Sequence, residues 1–227
     1  MRPMFDYHTH TLMSDGELIS AESVRIAEMR GYAILGLSDH SDFGNIAIQM
    51  SHALAAAEAE NADPNGIDLL PGTEITYVKP SQIEKMAARA RELGAKYVIV
   101  HGETIVEPIA PGTNRAAIEA GVDILAHPGL IAEADVELAA SKGVMLEISG
   151  RRGHCVANGH VASLARRCGA RLIFGSDAHH ASEIPTRDFA EKICLAAGMH
   201  QHEVDETFHH AEMFGRSLLE GKGRGQT

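Results

Sequence analysis

Cysteine is scarce in this chain, and the few cysteines present do not form spaced pairs. Three occur among 227 residues, at Cys155, Cys168 and Cys194, and none belongs to a C-x-x-C motif. A disulfide framework or a zinc site built on cysteine pairs would show more cysteines at closer spacing. The sequence therefore predicts three free thiols in a reducing cytosol.

Long apolar runs are also missing. No stretch approaches the roughly 20 consecutive apolar residues that a transmembrane helix needs. The first ten residues, MRPMFDYHTH, lack the uninterrupted apolar segment of a secretory signal peptide. We therefore expect a cytoplasmic protein with no membrane partner.

Basic side chains are outnumbered. The chain has 20 Lys and Arg against 31 Asp and Glu, which gives a formal charge of −11. An acidic surface repels polyanions, so a long nucleic acid is not expected as a partner. A small phosphorylated substrate remains compatible with this charge, because bound metal ions can outweigh the overall field at a site.

Short apolar runs alternate with helical patterns along almost the whole chain. Their shortness and Val, Ile and Leu content predict parallel strands that are buried on both faces. Such alternation is typical of one α/β domain, here residues 1–220, followed by a frayed tail at 221–227. The seven predicted strands are Met4–Tyr7, Ala33–Leu37, Ile67–Leu70, Tyr97–Val100, Asp123–Ala126, Val144–Ile148 and Leu172–Phe174.

Helix boundaries also have signals in the sequence. Ser81 and Glu84 have the spacing of a capping box, which predicts a helix starting at Ser81. A last helix is predicted over Thr207–Leu219. Glycines follow five of the predicted helices where a left-handed residue ends a helix, at Gly94, Gly121, Gly143, Gly169 and Gly198.

Histidines, carboxylates or arginines follow every predicted strand at its carboxyl end. In α/β barrels this end of several strands forms the active site, whereas an open sheet favours only one crevice. The pattern therefore favours a closed or nearly closed barrel. Nine residues at these ends are predicted to converge: His8, His10, Asp15, His40, Glu74, His101, His127, Asp177 and His179.

Six imidazoles and three carboxylates are costly to bury unless something pairs with them. Divalent cations satisfy the lone pairs and the charge together, and nine donors exceed what one ion uses. Two or three ions are therefore predicted, with zinc, manganese or iron suited to nitrogen and oxygen donors. Each motif alone has a simpler explanation, such as a surface histidine pair or a helix cap, but these explanations would all have to hold at once.

A phosphate substrate would need further contacts. Arg151, Arg152 and Arg187 follow the last two predicted strands and are candidates to bind phosphate, with solvent-exposed surface arginines as the alternative. His154, in the loop after the sixth strand, is a candidate to approach the substrate. Asp39 is a candidate to orient the imidazole of a metal ligand.

The ordered motifs resemble the PHP (polymerase and histidinol phosphatase) superfamily, and most closely its small stand-alone histidinol-phosphatase-like members. The matching segments are HTHTLMSDG at 8–16, LSDH at 37–40, GTE at 72–74, VHGE at 100–103, AHPG at 126–129 and GSDAH at 175–179. The resemblance implies a distorted seven-stranded (β/α)7 TIM-like barrel that holds three divalent ions.

By matching position, the resemblance also implies how these residues share the ions. His8, His10, Glu74 and Asp177 would bind the first ion, Glu74 would bridge to a second, and a third would lie between other ligands. The second ion's remaining ligands would be His101 and His127, and those of the third would be Asp15, His40 and His179.

The implied activity is hydrolysis of a small phosphate monoester by a metal-activated hydroxide. Glu74, Asp177, His179 and Asp39 would be its catalytic residues. Nucleotide phosphatase activity and phosphodiester cleavage of short oligonucleotides remain alternatives. So does a catalytically idle barrel that binds another protein.

Overall fold

The apolar runs form one sheet of parallel strands, as their composition predicts. The computed structural model describes residues 2–220, so the predicted tail at 221–227 lies outside the described residues. A short strand, β3, joins the seven predicted ones. The strands are β1 Met4–Asp6, β2 Tyr32–Leu37, β3 His40–Ser41, β4 Asp68–Ile75, β5 Tyr97–His101, β6 Ile124–Ala126, β7 Met145–Ser149 and β8 Leu172–Gly175.

The strands follow each other around a nearly closed barrel. Their order is β1-β2-β4-β5-β6-β7-β8, with β3 pairing with β4, and all the pairs are parallel. Between the two outer strands the described residues form no continuous ladder, and an isolated bridge joins Thr9 to Ala178. This confirms the predicted distorted barrel of seven strands and places its seam between β1 and β8.

Helices cover the outside of the sheet. They are α1 Ser20–Met29, α2 Ile46–Glu60, α3 Ile83–Glu92, α4 Thr113–Glu119, α5 Glu133–Lys142, α6 Asn158–Cys168, α7 Arg187–Ala196 and α8 Gln201–Glu220. Short 3₁₀ turns precede α3, α6 and α7, at Pro80–Gln82, His154–Ala157 and Ala181–Glu183. Within residues 2–220, none of these helices combines the length and the apolar character that a bilayer span requires.

Two helix starts differ from the prediction. The capping box at Ser81 is absent, because a 3₁₀ turn begins at Pro80 and α3 starts only at Ile83. Proline favours the first turn of a helix, so winding begins before Ser81 can act as a cap. Helix α8 starts at Gln201, six residues before the predicted Thr207. The five glycines predicted at helix ends all have φ between 65° and 97°.

Helix α8 lies over the seam of the barrel. It packs against β8 and β1, and Ala211 and Phe214 join the apolar cluster inside the barrel. The hydroxyl of Tyr7 donates a hydrogen bond to the carbonyl of Ala211 at 2.6 Å. The last helix therefore closes the side of the barrel where strand pairing is weakest.

Candidate metal centre

The structure brings all nine predicted ligand residues together at the carboxyl ends of the strands. Seven of them are buried, while His40 is half-buried and Asp15 is exposed at the rim. The short pairing of β3 with β4 aligns His40 with Glu74. The convergence predicted from the strand ends is therefore present, whereas the role of these residues as metal ligands stays a prediction.

Glu74 lies at the centre of the cluster. Its Oε1 is 3.4 Å from His8 Nε2 and 3.5 Å from His127 Nε2, and its Oε2 is 3.6 Å from His10 Nε2. Neither carboxylate oxygen receives a hydrogen bond from the described residues. His40 Nδ1 is 2.7 Å from Oε2 but hydrogen-bonds Thr76 Oγ1, also at 2.7 Å. The lone pairs of Glu74 are thus buried and open to a cation.

Asp177 faces Glu74 across the same histidines. Its Oδ1 is 3.2 Å from His10 Nε2 and 3.7 Å from His8 Nε2, and its Oδ2 is 3.6 Å from His127 Nε2. The backbones of His127 and Asp177 have φ of 25° and 54°. Non-glycine residues adopt such angles at a cost of about 1–3 kcal/mol, usually where function requires it. The fold therefore maintains strain at two of the predicted ligands.

A second group of donors surrounds Asp15 at the rim. Its Oδ1 is 3.1 Å from His179 Nε2 and 3.5 Å from His40 Nε2, and it lies 3.9 Å from His10 Nδ1. These four residues each offer one atom within 4.8 Å of the others, which is close enough for one ion. This group includes Asp15, His40 and His179, the three ligands that the resemblance implies for a third ion.

A third group contains two residues that were not predicted as ligands. One ring nitrogen each from His101, His127 and His154 lies within 4.8 Å of the others. Glu107, from the loop after β5, has Oε2 3.1 Å from His101 Nε2 and Oε1 3.3 Å from His154 Nε2. His154 was predicted to approach the substrate, and Glu107 was not predicted at all.

A buried carboxylate, that of Glu147, holds a ligand ring and a neighbouring backbone segment in place. Glu147, on β7, accepts from His8 Nδ1 at 2.6 Å and from the backbone N–H of His127 at 2.9 Å. A Cβ on Gly175 would lie 1.9 Å from Glu147 Oε1, so only glycine leaves room for this carboxylate. The bond to Nδ1 directs His8 Nε2 toward Glu74 and Asp177, as in many metal sites.

The structure corrects the role predicted for Asp39. Its carboxylate does not bind an imidazole directly but accepts from Thr11 N–H at 2.7 Å, Thr11 Oγ1 at 2.8 Å and Ser14 Oγ at 2.7 Å. Ser14 Oγ in turn lies 3.5 Å from His10 Nδ1. The Asp39 carboxylate therefore positions the loop after β1 and approaches His10 through Ser14, while the backbone carbonyl of Asp39 accepts from Glu74 N–H at 3.2 Å.

Burial and charge set the protonation of the cluster. Burial lowers the pKa of His10 and of His154 to about 4, so both rings are neutral near pH 7. Burial alone would raise the pKa of Glu74, but the nearby imidazoles of His8 and His40 hold it well below its usual value. Neutral imidazoles and ionised carboxylates are the forms that bind metal ions, so an ion would displace protons from His8 and His40, whose pKa values are raised because neighbouring carboxylates outweigh burial.

The donors fit divalent ions. Among the described residues, Nε2 of His8, His10 and His179 and both oxygens of Glu74 are buried without a hydrogen-bond partner. Buried polar atoms without partners are uncommon and call for an explanation such as an ion. Imidazole and carboxylate donors without thiolate suit zinc, manganese or iron.

The arginines predicted to bind phosphate do not all reach the cluster. Arg151 does, since it contacts His179 Nδ1 and donates to the carbonyl of Asp177 at 3.1 Å. Arg152 is exposed and does not line the cavity at the cluster.

The prediction for Arg187 is wrong. Its guanidinium pairs with Glu191 at 2.7 Å, donates to the carbonyl of Pro3 at 3.0 Å and lies over the Phe208 ring. Because Pro3 precedes β1, this arginine lies toward the amino ends of the strands, away from the cluster. It connects α7 to the start of the chain and to α8.

A cavity of about 350 Å³ opens above the donors. Arg151, Asp177 and His179 lie in its wall, as do Tyr77 and Glu107 from other loops. This volume is at the lower end of the range for small-molecule sites, about 300–1,000 Å³. The site can therefore hold a small ligand in contact with the candidate ion positions.

Comparisons with known proteins agree with this geometry. No protein-family model matches the chain. An uncharacterised protein of Methanocaldococcus jannaschii is 41% identical over 207 residues, which are 91% of this chain and 95% of that protein. A probable phosphatase of Shewanella sp. strain ANA-3 is 28% identical over 216 residues, which cover 84% of this chain and 82% of the relative.

A solved structure shows the same fold. Histidinol phosphate phosphatase from Lactococcus lactis, in complex with zinc, L-histidinol and phosphate, aligns with a TM-score of 0.59 at 18% identity. The alignment covers 86% of this chain and 94% of that one. The chain belongs to one family with the Methanocaldococcus jannaschii protein, and it has the PHP-superfamily fold of the histidinol-phosphatase type.

Proposed function

We propose that this protein is a metal-dependent phosphatase that hydrolyses a small phosphate monoester of the histidinol phosphate kind. The observation that carries the proposal is Glu74, a fully buried carboxylate that faces four imidazoles and whose two oxygens lack hydrogen-bond partners among the described residues. Relatives named as probable phosphatases and the histidinol phosphate phosphatase fold support the same activity.

The nine clustered residues would hold two or three divalent ions. Such ions supply a water-derived nucleophile at neutral pH and neutralise charge on a phosphoryl group. Glu74 would be shared between two ions, because its two oxygens face different imidazoles. Asp177 would complete the ligand set of His8 and His10, and His179 would complete the set of Asp15 and His40.

Arg151 would bind the phosphate. It is the arginine that lines the cavity, and it is close to Asp177 and Glu183, which hold its guanidinium beside the cluster. A guanidinium matches the spacing of two phosphate oxygens. The carboxylates near Arg151 orient it without saturating its five donors.

The cavity favours a small substrate over a polymer. Its volume of about 350 Å³ accommodates one phosphoryl group with a leaving group of modest size. The chain's formal charge of −11 opposes a long polyanion. The leaving group would occupy the part of the cavity next to Tyr77 and Glu107.

Hydrolysis of a substrate panel tests the proposal, measured as inorganic phosphate for the monoesters and as the released phenol for the phosphodiester. The panel contains L-histidinol phosphate, mononucleotides, bisphosphorylated nucleotides, sugar phosphates and a bis-aryl phosphodiester, each with added manganese, zinc or iron. Glu74→Gln should lower kcat at least about 10²–10³-fold, the usual loss for one electrostatic contact to the transition state. Glu58→Gln, at an exposed position on α2, is the matched control.

Release from monoesters that depends on metal and on Glu74 supports the proposal. Turnover of the phosphodiester alone would overturn the monoester assignment. Metal-loaded protein without activity on any substrate would overturn phosphatase function.

A further inference from the structure

His154 lies within the cluster, although it comes from an element outside the nine predicted positions. It begins the 3₁₀ turn after β7 and is buried. Its ring stacks on His127 with centroids 4.1 Å apart and planes 18° apart, and it lies edge-on to His101 at 5.9 Å. Three imidazoles from three different strand ends therefore meet at one point.

Thr104 determines which ring nitrogen of His154 faces that point. Its Oγ1 lies 2.7 Å from His154 Nδ1, and both residues are buried. Nε2 is left facing the cavity, 3.3 Å from Glu107 Oε1 and 3.9 Å from Asp177 Oδ2. A hydrogen bond to one nitrogen that directs the other inward is the arrangement found for histidine metal ligands.

Glu107 lies over the same point from the loop after β5. Its Oε2 is 3.1 Å from His101 Nε2 and accepts from the Tyr77 hydroxyl at 3.2 Å. The carboxylate thus faces the Nε2 atoms of two histidines at once. A ring nitrogen of His127, Nδ1, is buried without a hydrogen-bond partner among the described residues.

We propose that His154 and Glu107 are additional ligands of the ion that His101 and His127 hold. This inference rests on the metal centre of the proposed function, but it does not need the phosphatase activity. With Glu74 the set has three imidazoles and two carboxylates, all of them donors that suit zinc or iron. A site with five protein ligands has few positions left for solvent, so its ion should be the slowest to leave.

The alternative is an ordinary hydrogen-bonded pair, in which Nε2–H of His154 donates to Glu107 and no ion is involved. The two explanations differ in what the removal of His154 does to metal binding. A structural pair predicts loss of stability with unchanged metal content, whereas a ligand predicts faster release of one ion.

The experiment measures metal release and a spectroscopic signature. Wild type and the variants His154→Ala, Glu107→Gln and Thr104→Val are loaded with zinc and exposed to a chelator, and the retained zinc is counted over time. The same proteins loaded with cobalt give visible spectra that report the ligand set. His202→Ala, at an exposed position on α8, is the control.

We expect His154→Ala to release one ion at least about tenfold faster than wild type, no less than the effect of losing a partner behind a ligand, and to change the cobalt bands. Thr104→Val should weaken binding about 10- to 100-fold, as losses of partners behind a ligand do, and Glu107→Gln should also speed release. Wild-type release and spectra in His154→Ala would overturn the inference.

If circular dichroism shows that His154→Ala does not fold, the test rests on Glu107→Gln and Thr104→Val. Wild-type zinc release and cobalt spectra in both variants would overturn the inference. Absence of phosphatase activity in a protein whose zinc release depends on His154 would overturn only the proposed function.

Discussion

Glu147 offers a sharp test of the metal centre, because it contacts two predicted ligands without being one itself. Its two oxygens accept from His8 Nδ1 at 2.6 Å and from the backbone N–H of His127 at 2.9 Å, and all three residues are buried. Glu147→Gln preserves the volume of the side chain but leaves one acceptor for two donors. One of the two N–H groups must then face an amide NH₂ group.

The size of the effect follows from this unpaired donor. A buried donor without a partner costs about 1–3 kcal/mol. Loss of a carboxylate behind a histidine ligand typically lowers metal affinity about 10- to 100-fold, which corresponds to about 1.4–2.8 kcal/mol. We therefore expect a weakening in this range and not the loss of the ion.

Competition with a chromophoric zinc chelator measures the dissociation constants of wild type and variant. Glu58→Gln has the same chemical change at an exposed position on α2 and should leave the constants unchanged. Zinc affinities of Glu147→Gln equal to those of wild type, in a folded protein, would refute the reasoning that His8 Nε2 is a ligand oriented through Nδ1.

Three further predictions concern charge and burial. Arg151→Ala should raise KM for phosphate monoesters by at least about tenfold, the loss of a charged hydrogen bond, whereas Arg187→Ala should lower the melting temperature and leave KM unchanged. Hydrogen bonding by Arg166 lowers the pKa of Glu203 from 4.5 to about 2, so the ionised carboxylate stabilises the folded state above pH 4.5. This stabilisation should be lost as the pH falls from 4.5 toward 2. Glu203→Gln should therefore reduce the dependence of unfolding on pH in that range. Burial raises the pKa of Cys194 to about 12, so a thiol reagent at pH 8 should modify it only after denaturation.

The strand ends could be predicted from the sequence because a local rule determines them. Residues that directly follow a short apolar run lie at the carboxyl end of a parallel strand, wherever the run is in the chain. His101, His127 and Asp177 each follow such a run within a few residues. Their convergence therefore follows from the barrel and needs no knowledge of the loops.

Residues on loops and helices could not be predicted in this way. Glu107 lies in a loop of Gly and Pro without periodicity, and only the folded chain brings it over His101. The prediction for Arg187 was wrong because this residue is farther from the strand end than its place in the sequence suggested. After β8 the chain passes through a 3₁₀ turn at Ala181–Glu183 before α7, which carries Arg187 away from the cluster. Its spacing to Glu191, four residues on, was the available signal for an ion pair within a helix.

The seam of the barrel ties the metal centre to the fold itself. Beyond the bridge between Thr9 and Ala178, Asp177 N–H donates to the carbonyl of His8 at 2.8 Å, and His10 N–H donates to the carbonyl of Ala178 at 2.9 Å. Of the four residues in these two bonds, three are predicted ligands: His8, His10 and Asp177. An ion held by His8, His10 and Asp177 would therefore join the first and last strands directly. An ion that binds only the native state stabilises that state. Metal binding would therefore strengthen the contact between β1 and β8, where strand pairing is weakest.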